Sequence, residues 1–363
     1  MSLVKVVEVN SYKKEIIENG LLELLNFTDL KTLKINTVSV VFDFPPPDAS
    51  VLLALNNILK DNGVNKVIFG ASNFNSDAFQ EIYKKLLDHG IELHNFRDEP
   101  YIEFEIGNIT KQNDHIRGYP LLYPEKAKEE KVLSRVNLGK PRTFKKVLLP
   151  YNIAESDYVI PVIKLKDSPI SKIGGFVNAL LYFIPTNLRS NVFIKALSGQ
   201  FEDSLLDIFS AFKSKVLFGI VDGIQGELTG SELDKFNVLM ASSDLLSLDA
   251  VISVIIGFRS SEITTNKLGS LYDLGDGLLK DIVIDGVDFE KIRKELVNRL
   301  KFSNAFKKNR VPKIVKNDDT ISSIETLCPT GAIYKDKSGY SIDKFKCIKC
   351  NFCVEIAQKY FNF

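Results

Sequence analysis

Apolar positions in the first hundred residues switch between the two periods of regular structure. Val38 to Phe44 is an unbroken β-branched and aromatic run that stops at Pro45-Pro46-Pro47, which predicts a strand buried on both faces. Asp48-Ala49-Ser50 opens a helical pattern from Val51 to Leu59, closed by Asn62-Gly63. Lys66 to Gly70 predicts a second strand, Ser76 to His89 a second amphipathic helix ending at Gly90, and Ile91 to Phe96 a third strand. Strand and helix alternating at these lengths imply a parallel α/β sheet.

The stretch from Asp98 to Arg142 is polar, charged and rich in Pro and Tyr, and it places a subdomain boundary near residues 98–145. The pattern resumes with strands at Lys146 to Leu149 and Tyr158 to Leu165 and a helix from Phe201 to Phe212. Val216 to Val221 then forms a strand running into Asp222-Gly223. Phe236 to Met240 predicts another buried strand and Asp249 to Phe258 an apolar helix, so a second α/β sheet is expected. The body, residues 1–310, therefore reads as two α/β subdomains built on parallel sheets. Asp288 to Lys308 predicts a surface helix that leads through a basic linker, Lys307 to Lys313, into a small α+β module over residues 314–363. There Ala332 to Lys335 and Tyr340 to Ile342 flank the turn formers Asp336-Lys337-Ser338-Gly339, the pattern of a β-hairpin.

Composition narrows the function classes. The 363 residues carry 47 Lys plus Arg against 46 Asp plus Glu, so no overall field draws the chain to nucleic acid or to an anionic membrane. A small-molecule substrate or another protein, such as a redox partner, is the expected partner. The N-terminus, Met1 to Lys5, has no apolar signal core, and the longest apolar run, Phe176 to Pro185, is too short to span a bilayer. A cytoplasmic protein with no membrane contact is the expectation.

All four cysteines fall at or after residue 328. Without an export signal such clustering points to a metal or cluster site rather than to disulfides. Cys347-Ile348-Lys349-Cys350-Asn351-Phe352-Cys353 has the C-x2-C-x2-C spacing by which one loop wraps three corners of an iron–sulfur cubane. In two-cluster ferredoxins the fourth Cys of each run, followed by Pro, ligates the other cluster. Cys328-Pro329 has that form. Counting back from it finds Ile324, Ile321 and Asp318 where three more ligands would stand, and the fourth position after Cys353 is Ala357. The surviving set is what one [4Fe–4S] cluster needs, as in a ferredoxin from which one of two clusters has been lost. A zinc ion on the same thiolates is the alternative, although zinc sites more often pair two separate C-x2-C knuckles. Lys346 and Lys349 either offset cluster charge or are ordinary solvated lysines.

Between Lys215 and Asp249 stand Gly219-Ile220-Val221-Asp222-Gly223-Ile224, then Gly226 and Gly230, then Val238-Leu239-Met240-Ala241-Ser242-Ser243-Asp244 and Leu248-Asp249-Ala250-Val251. This pattern resembles the domain of unknown function 362 family, and the likeness extends through Ile255-Ile256-Gly257 and Leu271 to Gly275 to Ile284-Asp285-Gly286. Members of that family often carry ferredoxin-like cluster modules, which agrees with the cysteine reading. Asp222 ends a buried parallel strand, where open α/β sheets place ligands, and Asp244 could join it around a metal or polar substrate. A plain turn at Asp222-Gly223 and helix capping by Asp244 or Asp249 are the rival readings. Lys164 and Lys166 end another buried strand, and Gly174-Gly175 leads to Asn178. His89, His94 and His115 are not spaced as a metal set. Three functions stay open: a redox protein using its cluster, a binding or assembly protein in which the cluster is a staple, and a non-redox enzyme using Asp222 and Asp244.

Overall fold

The computed structural model describes residues 1–71, 77–96, 99–106, 119–120, 141–227, 235–287, 310–319, 321–357 and 360–362. The surface helix expected over Asp288 to Lys308, most of the polar stretch from Asp98 to Arg142, and Gly230 lie outside them.

One sheet organises the body. Its strands are β1 (Ser2–Glu8), β2 (Thr37–Phe42), β3 (Lys66–Ala71), β4 (Leu93–Asn95), β8 (Tyr158–Ser168), β9 (Lys172–Ile173), β10 (Gly219–Glu227), β11 (Val238–Ser242) and β12 (Ile282–Gly286). The order is β12-β1-β11-β10-β8-β2-β3-β4, with β9 folded back on β8. β10, β8, β2, β3 and β4 run parallel, as do β1 and β12, whereas β11 lies antiparallel to both its neighbours. The architecture is thus mixed α/β with a mostly parallel central sheet.

This corrects the expectation of two sheets. β2 pairs with β8 along Val38↔Tyr158 to Phe42↔Val162, so strands from both halves of the chain share one sheet. A run of alternating elements states which segments are strands, but strand neighbours depend on long-range pairing that local periodicity does not contain. The strand at Lys146 is real but sits elsewhere: β7 (Lys146–Pro150) pairs antiparallel with β5 (Tyr101–Glu105), which also holds β6 (Tyr119–Pro120).

Apolar side chains cover both faces of the sheet. Val38, Val40, Phe42, Ile160, Val162 and Ile220 meet α1 (Lys14–Leu24), α2 (Ala49–Asp61) and α3 (Asp77–Leu87) on one face. Val41, Val159, Ile163, Leu165 and Val221 meet the helices α5 (Phe176–Phe183), α7 (Phe201–Lys213) and α8 (Leu245–Ile255) on the other. The predicted start of α8 at Asp249 is displaced one turn, because Asp244 caps the helix through the Leu246 and Ser247 amides. Among the described residues no helix is long and apolar enough to cross a membrane.

The C-terminal module packs onto the second face. Its ends are clamped by β13 (Lys313–Ile314) against β16 (Phe361–Asn362), and β14 (Ile333–Asp336) with β15 (Gly339–Ile342) forms the predicted hairpin. Helical turns span Ile321–Glu325 and Phe352–Ile356. Ile321 and Ile324 are buried, so two of the positions that lack cysteine are filled by core side chains, whereas Asp318 pairs with Lys316 at the surface.

Candidate functional site

The four cysteines approach from two segments. Cys328 follows the turn at Ile321–Glu325, and Gly331, at φ 60°, folds the chain back so that the Ala332 amide donates to Cys328 Sγ at 3.2 Å. In the other segment Lys349 and Asn351 adopt left-handed φ of 57° and 62°. Alternating the hand of successive residues turns their N–H groups to the inside of the loop, which builds an anion-binding concavity. The Lys349 and Phe352 amides act to lower the Cys347 and Cys350 thiols against the effect of burial.

All four cysteines line one cavity together with Ile324, Leu327, Phe352 and Ile356, and its non-atom space, open solvent included, is about 420 Å³. Burial pushes the Cys347 thiol up, Cys350 up to about 12, and Cys353 well above its ordinary range, with the neighbouring sulfurs adding to the effect. A set of half-buried thiols that resists ionisation on its own suits a cationic centre, which would hold the sulfurs as thiolates. Among the described residues no three His, Cys, Asp or Glu side chains stand close enough to hold a single metal ion.

The loop enters the body just beyond Cys353. Phe352 is buried against Tyr182 and Phe193, with ring centroids 5.9 Å and 5.3 Å away, and the Arg189 guanidinium lies 4.9 Å from its ring centre. Glu355, also buried, accepts hydrogen bonds from Ser168 Oγ at 2.6 Å, Asn178 Nδ2 at 2.8 Å and the Tyr182 hydroxyl at 3.0 Å. Burial and the Glu355 charge hold the Tyr182 phenol well above its usual range, so it stays a donor.

Behind Tyr182 lies the carboxyl end of the parallel strands. Lys166 Nζ is 5.0 Å from the Tyr182 ring and 2.9 Å from Asp43 Oδ2, and it donates to the Phe44 carbonyl. Asp43 directly follows β2 and is fully buried, and burial pushes its carboxyl up to about 6 against the pull of Lys166. Asp43 Oδ1 and Asn178 Oδ1 meet no hydrogen-bond donor among the described residues. A Cβ at Gly174 would collide with the Lys166 stem, and one at Gly175 with the Asp249 carboxylate.

Asp222 does not end its strand but is the fourth residue of β10, where pairing with β8 is broken by a bulge, and it stands in a second polar group. It accepts from the Tyr12 hydroxyl at 2.9 Å, the Asp48 amide at 3.0 Å and the Ile224 amide at 3.2 Å, with Lys164 Nζ at 3.9 Å. Burial raises its pKa, opposed by Lys164 and these donors. Asp244 is not part of this group. Asp222 pairs with Leu239 and Gly219 with Ser242, so Asp244 stands at the opposite end of the sheet. There it binds Ser2 Oγ and the Asp276 amide, both at 2.7 Å, besides capping α8. The expected Asp222–Asp244 pair does not form, because antiparallel β11 carries the chain away from the end where Asp222 lies. Asp249 is likewise a cap, accepting from the Phe176 and Val177 amides at 2.6 Å and 3.1 Å.

Sequence reasoning singled out the cysteines, Lys164, Lys166, Asn178 and Asp222, but missed Asp43, Tyr12, Tyr182 and Glu355. Two signals were legible: an acid at the exit of a fully apolar strand, and a lone Glu in the apolar run Phe352 to Ile356.

These features define a mixed α/β protein that presents a four-cysteine cavity beside the carboxyl end of a mostly parallel sheet. The family described as "Domain of unknown function (DUF362)" matches residues 117–253, which supports the resemblance carried by the strand and turn at Asp222. No curated protein matches the chain. Among solved structures it is similar to the lactate racemase apoprotein from Thermoanaerobacterium thermosaccharolyticum, at 14% identity and a TM-score of 0.41, over 71% of this chain. The match spans 58% of the length of that structure, and a likeness so loose says nothing of substrate or cofactor.

Proposed function

We propose that residues 314–363 are a ferredoxin-like module that holds one [4Fe–4S] cluster through Cys328, Cys347, Cys350 and Cys353, and that the protein moves single electrons between it and a redox partner protein or a substrate at the body. The observation that carries this reading is the gathering of all four cysteines, from two separate segments, around one cavity, with the Ala332 amide donating to Cys328 Sγ. When bound, such a cluster supplies one-electron chemistry. The chain's part is to ligate, insulate and tune. Amide donation from Ala332, supported by the nearby Lys349 and Phe352 amides, offsets negative charge on the sulfurs, which favours the reduced state. Ile324, Leu327, Phe352 and Ile356 keep water from the inner side. Phe352, Tyr182, Lys166 and Asp43 then form a continuous run of contacts to the strand ends, where α/β sheets bind ligands.

A second reading, a cluster that only staples the tail to the body, is favoured by the insertion of Phe352 and Glu355 into the body core. The non-redox enzyme built on Asp222 and Asp244 loses its motivation, since the two do not meet and each is occupied by hydrogen bonds within the fold.

The test is an anaerobic preparation of the full chain with iron and sulfide counted and absorption and EPR spectra recorded. The reading expects about four iron and about four sulfide per chain and a spectrum that changes with dithionite. Zinc without visible absorption removes it. A cluster that no low-potential donor reduces leaves the staple.

A further inference from the structure

We propose that the face of the module around Phe345 is the docking surface for an acidic protein that carries one electron. The inference rests on the cluster reading and names the partner of that site.

Phe345 is fully exposed, at 103% relative accessibility, whereas most of the other described phenylalanines are buried in the core. Its exposure is built in. Asp343 Oδ1 accepts from the Phe345 amide at 2.8 Å and from the Lys346 amide at 3.3 Å, and this turn holds the ring outward one residue before the cysteine loop begins with Lys346-Cys347. The flanking residues Lys344 and Lys346 are exposed, as is Lys349 inside the loop. Between Ala332 and Cys353 stand five lysines and two aspartates, although the whole chain carries a net charge of only +1. Both aspartates, Asp336 and Asp343, are engaged by their own turns. Lys335 is taken by Asp319, whereas Lys344, Lys346 and Lys349 have no ion-pair partner among the described residues.

An exposed aromatic ring flanked by unpaired positive charge has the composition of a small transient interface: one apolar anchor and charges that steer encounter. The position selects the partner. Cys347, two residues from Phe345, lines the cavity, so a protein seated on this ring is brought beside the redox centre. Nucleic acid would need a longer cationic track than three lysines around one ring. The step balances simply: the reduced carrier loses one electron, the module gains it, and no bond forms or breaks.

The experiment uses the reconstituted full chain and a reduced acidic [2Fe–2S] ferredoxin as the probe, followed by stopped-flow absorbance. The second-order rate is expected to fall about tenfold or more between roughly 20 mM and 500 mM salt. K344E/K346E is expected to lower the low-salt rate about tenfold, and F345A to lower it several-fold at either salt. Iron content and reduction by dithionite should be unchanged in both variants. K31E, at an exposed lysine in the loop that packs Leu30 on the other face of the sheet, should transfer at the wild-type rate. A salt-independent rate, variants that transfer like the wild type, or tighter binding of single-stranded RNA or anionic vesicles than of the carrier would each overturn the docking surface while leaving the cluster reading intact. A chain that takes up no cluster overturns both, and the iron count reports this before any kinetics.

Discussion

Asp249 carries no catalytic geometry, yet it is the most consequential carboxyl of the body. Its two oxygens close the amides that open α5, and burial pushes it up to about 7 from an ordinary 3.8. An acid raised by folding contributes stability that is complete below the unfolded pKa and is lost as pH climbs through the folded one. Asp43, raised to about 6, acts in the same direction over a lower window. The urea midpoint of the protein should therefore fall from pH 5 to pH 8, with unfolding free energy lower by up to roughly 3 kcal/mol from Asp249 taken alone. D249N should start lower at pH 5, because an amide nitrogen then faces one of the two helix amides, and should show a flatter profile. A wild-type midpoint that rises over this range would refute the burial argument. At Asp222 the expected outcome is also structural: D222N leaves Tyr12 and the Asp48 amide with a poorer acceptor and should cost about 1–3 kcal/mol. Circular dichroism or tyrosine fluorescence checks both, since the chain has no Trp.

At the scale of elements, α5 and the turn Phe352–Ile356 join the module to the body. The Gly174-Gly175 step before α5 is dictated by close approach, because a methyl at Gly175 would fall on the Asp249 carboxylate. G175A should destabilise by about 2–4 kcal/mol and weaken the Asp249 pH slope with it. On the module side F352A removes a buried ring touching Tyr182 and Phe193 and should cost about 3–5 kcal/mol. Under the redox reading it should also slow electron passage into the body without altering the iron count. An F352A protein that unfolds in one transition at the wild-type midpoint would show that this turn does not hold the module. The strands and helices themselves were largely legible: Val38 to Phe44, Val51 to Leu59 and Lys66 to Gly70 correspond to β2, α2 and β3 within two residues at either end. The first strand, Ser2–Glu8, escaped notice because its Lys5 interrupts the apolar run, and its pairing with β11 and β12 is entirely long-range.

For the whole molecule, the module and body share one apolar cluster that runs from Val4 to Phe361. Loss of any of the four cysteines should therefore, under the cluster reading, be felt beyond the tail. C350A or C353A is expected to abolish stoichiometric iron binding and to expose residues 310–357 to limited proteolysis, while residues 1–287 keep the circular dichroism of a folded α/β sheet. Intact iron in both variants would mean that other residues hold the metal.

What the amino-acid sequence determined by itself was whatever depends on neighbours along the chain. Strand and helix periods, the Asp336 to Gly339 turn, and the C-x2-C-x2-C spacing are all set by local spacing. Tertiary structure alone decided the joining of two expected sheets into one, the separation of Asp222 from Asp244, and the roles of Asp43, Tyr182 and Glu355. Each of these turns on which segments, tens or hundreds of residues apart, come to lie side by side. Glu355 meets Ser168, Asn178 and Tyr182 across more than 170 residues of chain, and no local pattern in either segment encodes that meeting.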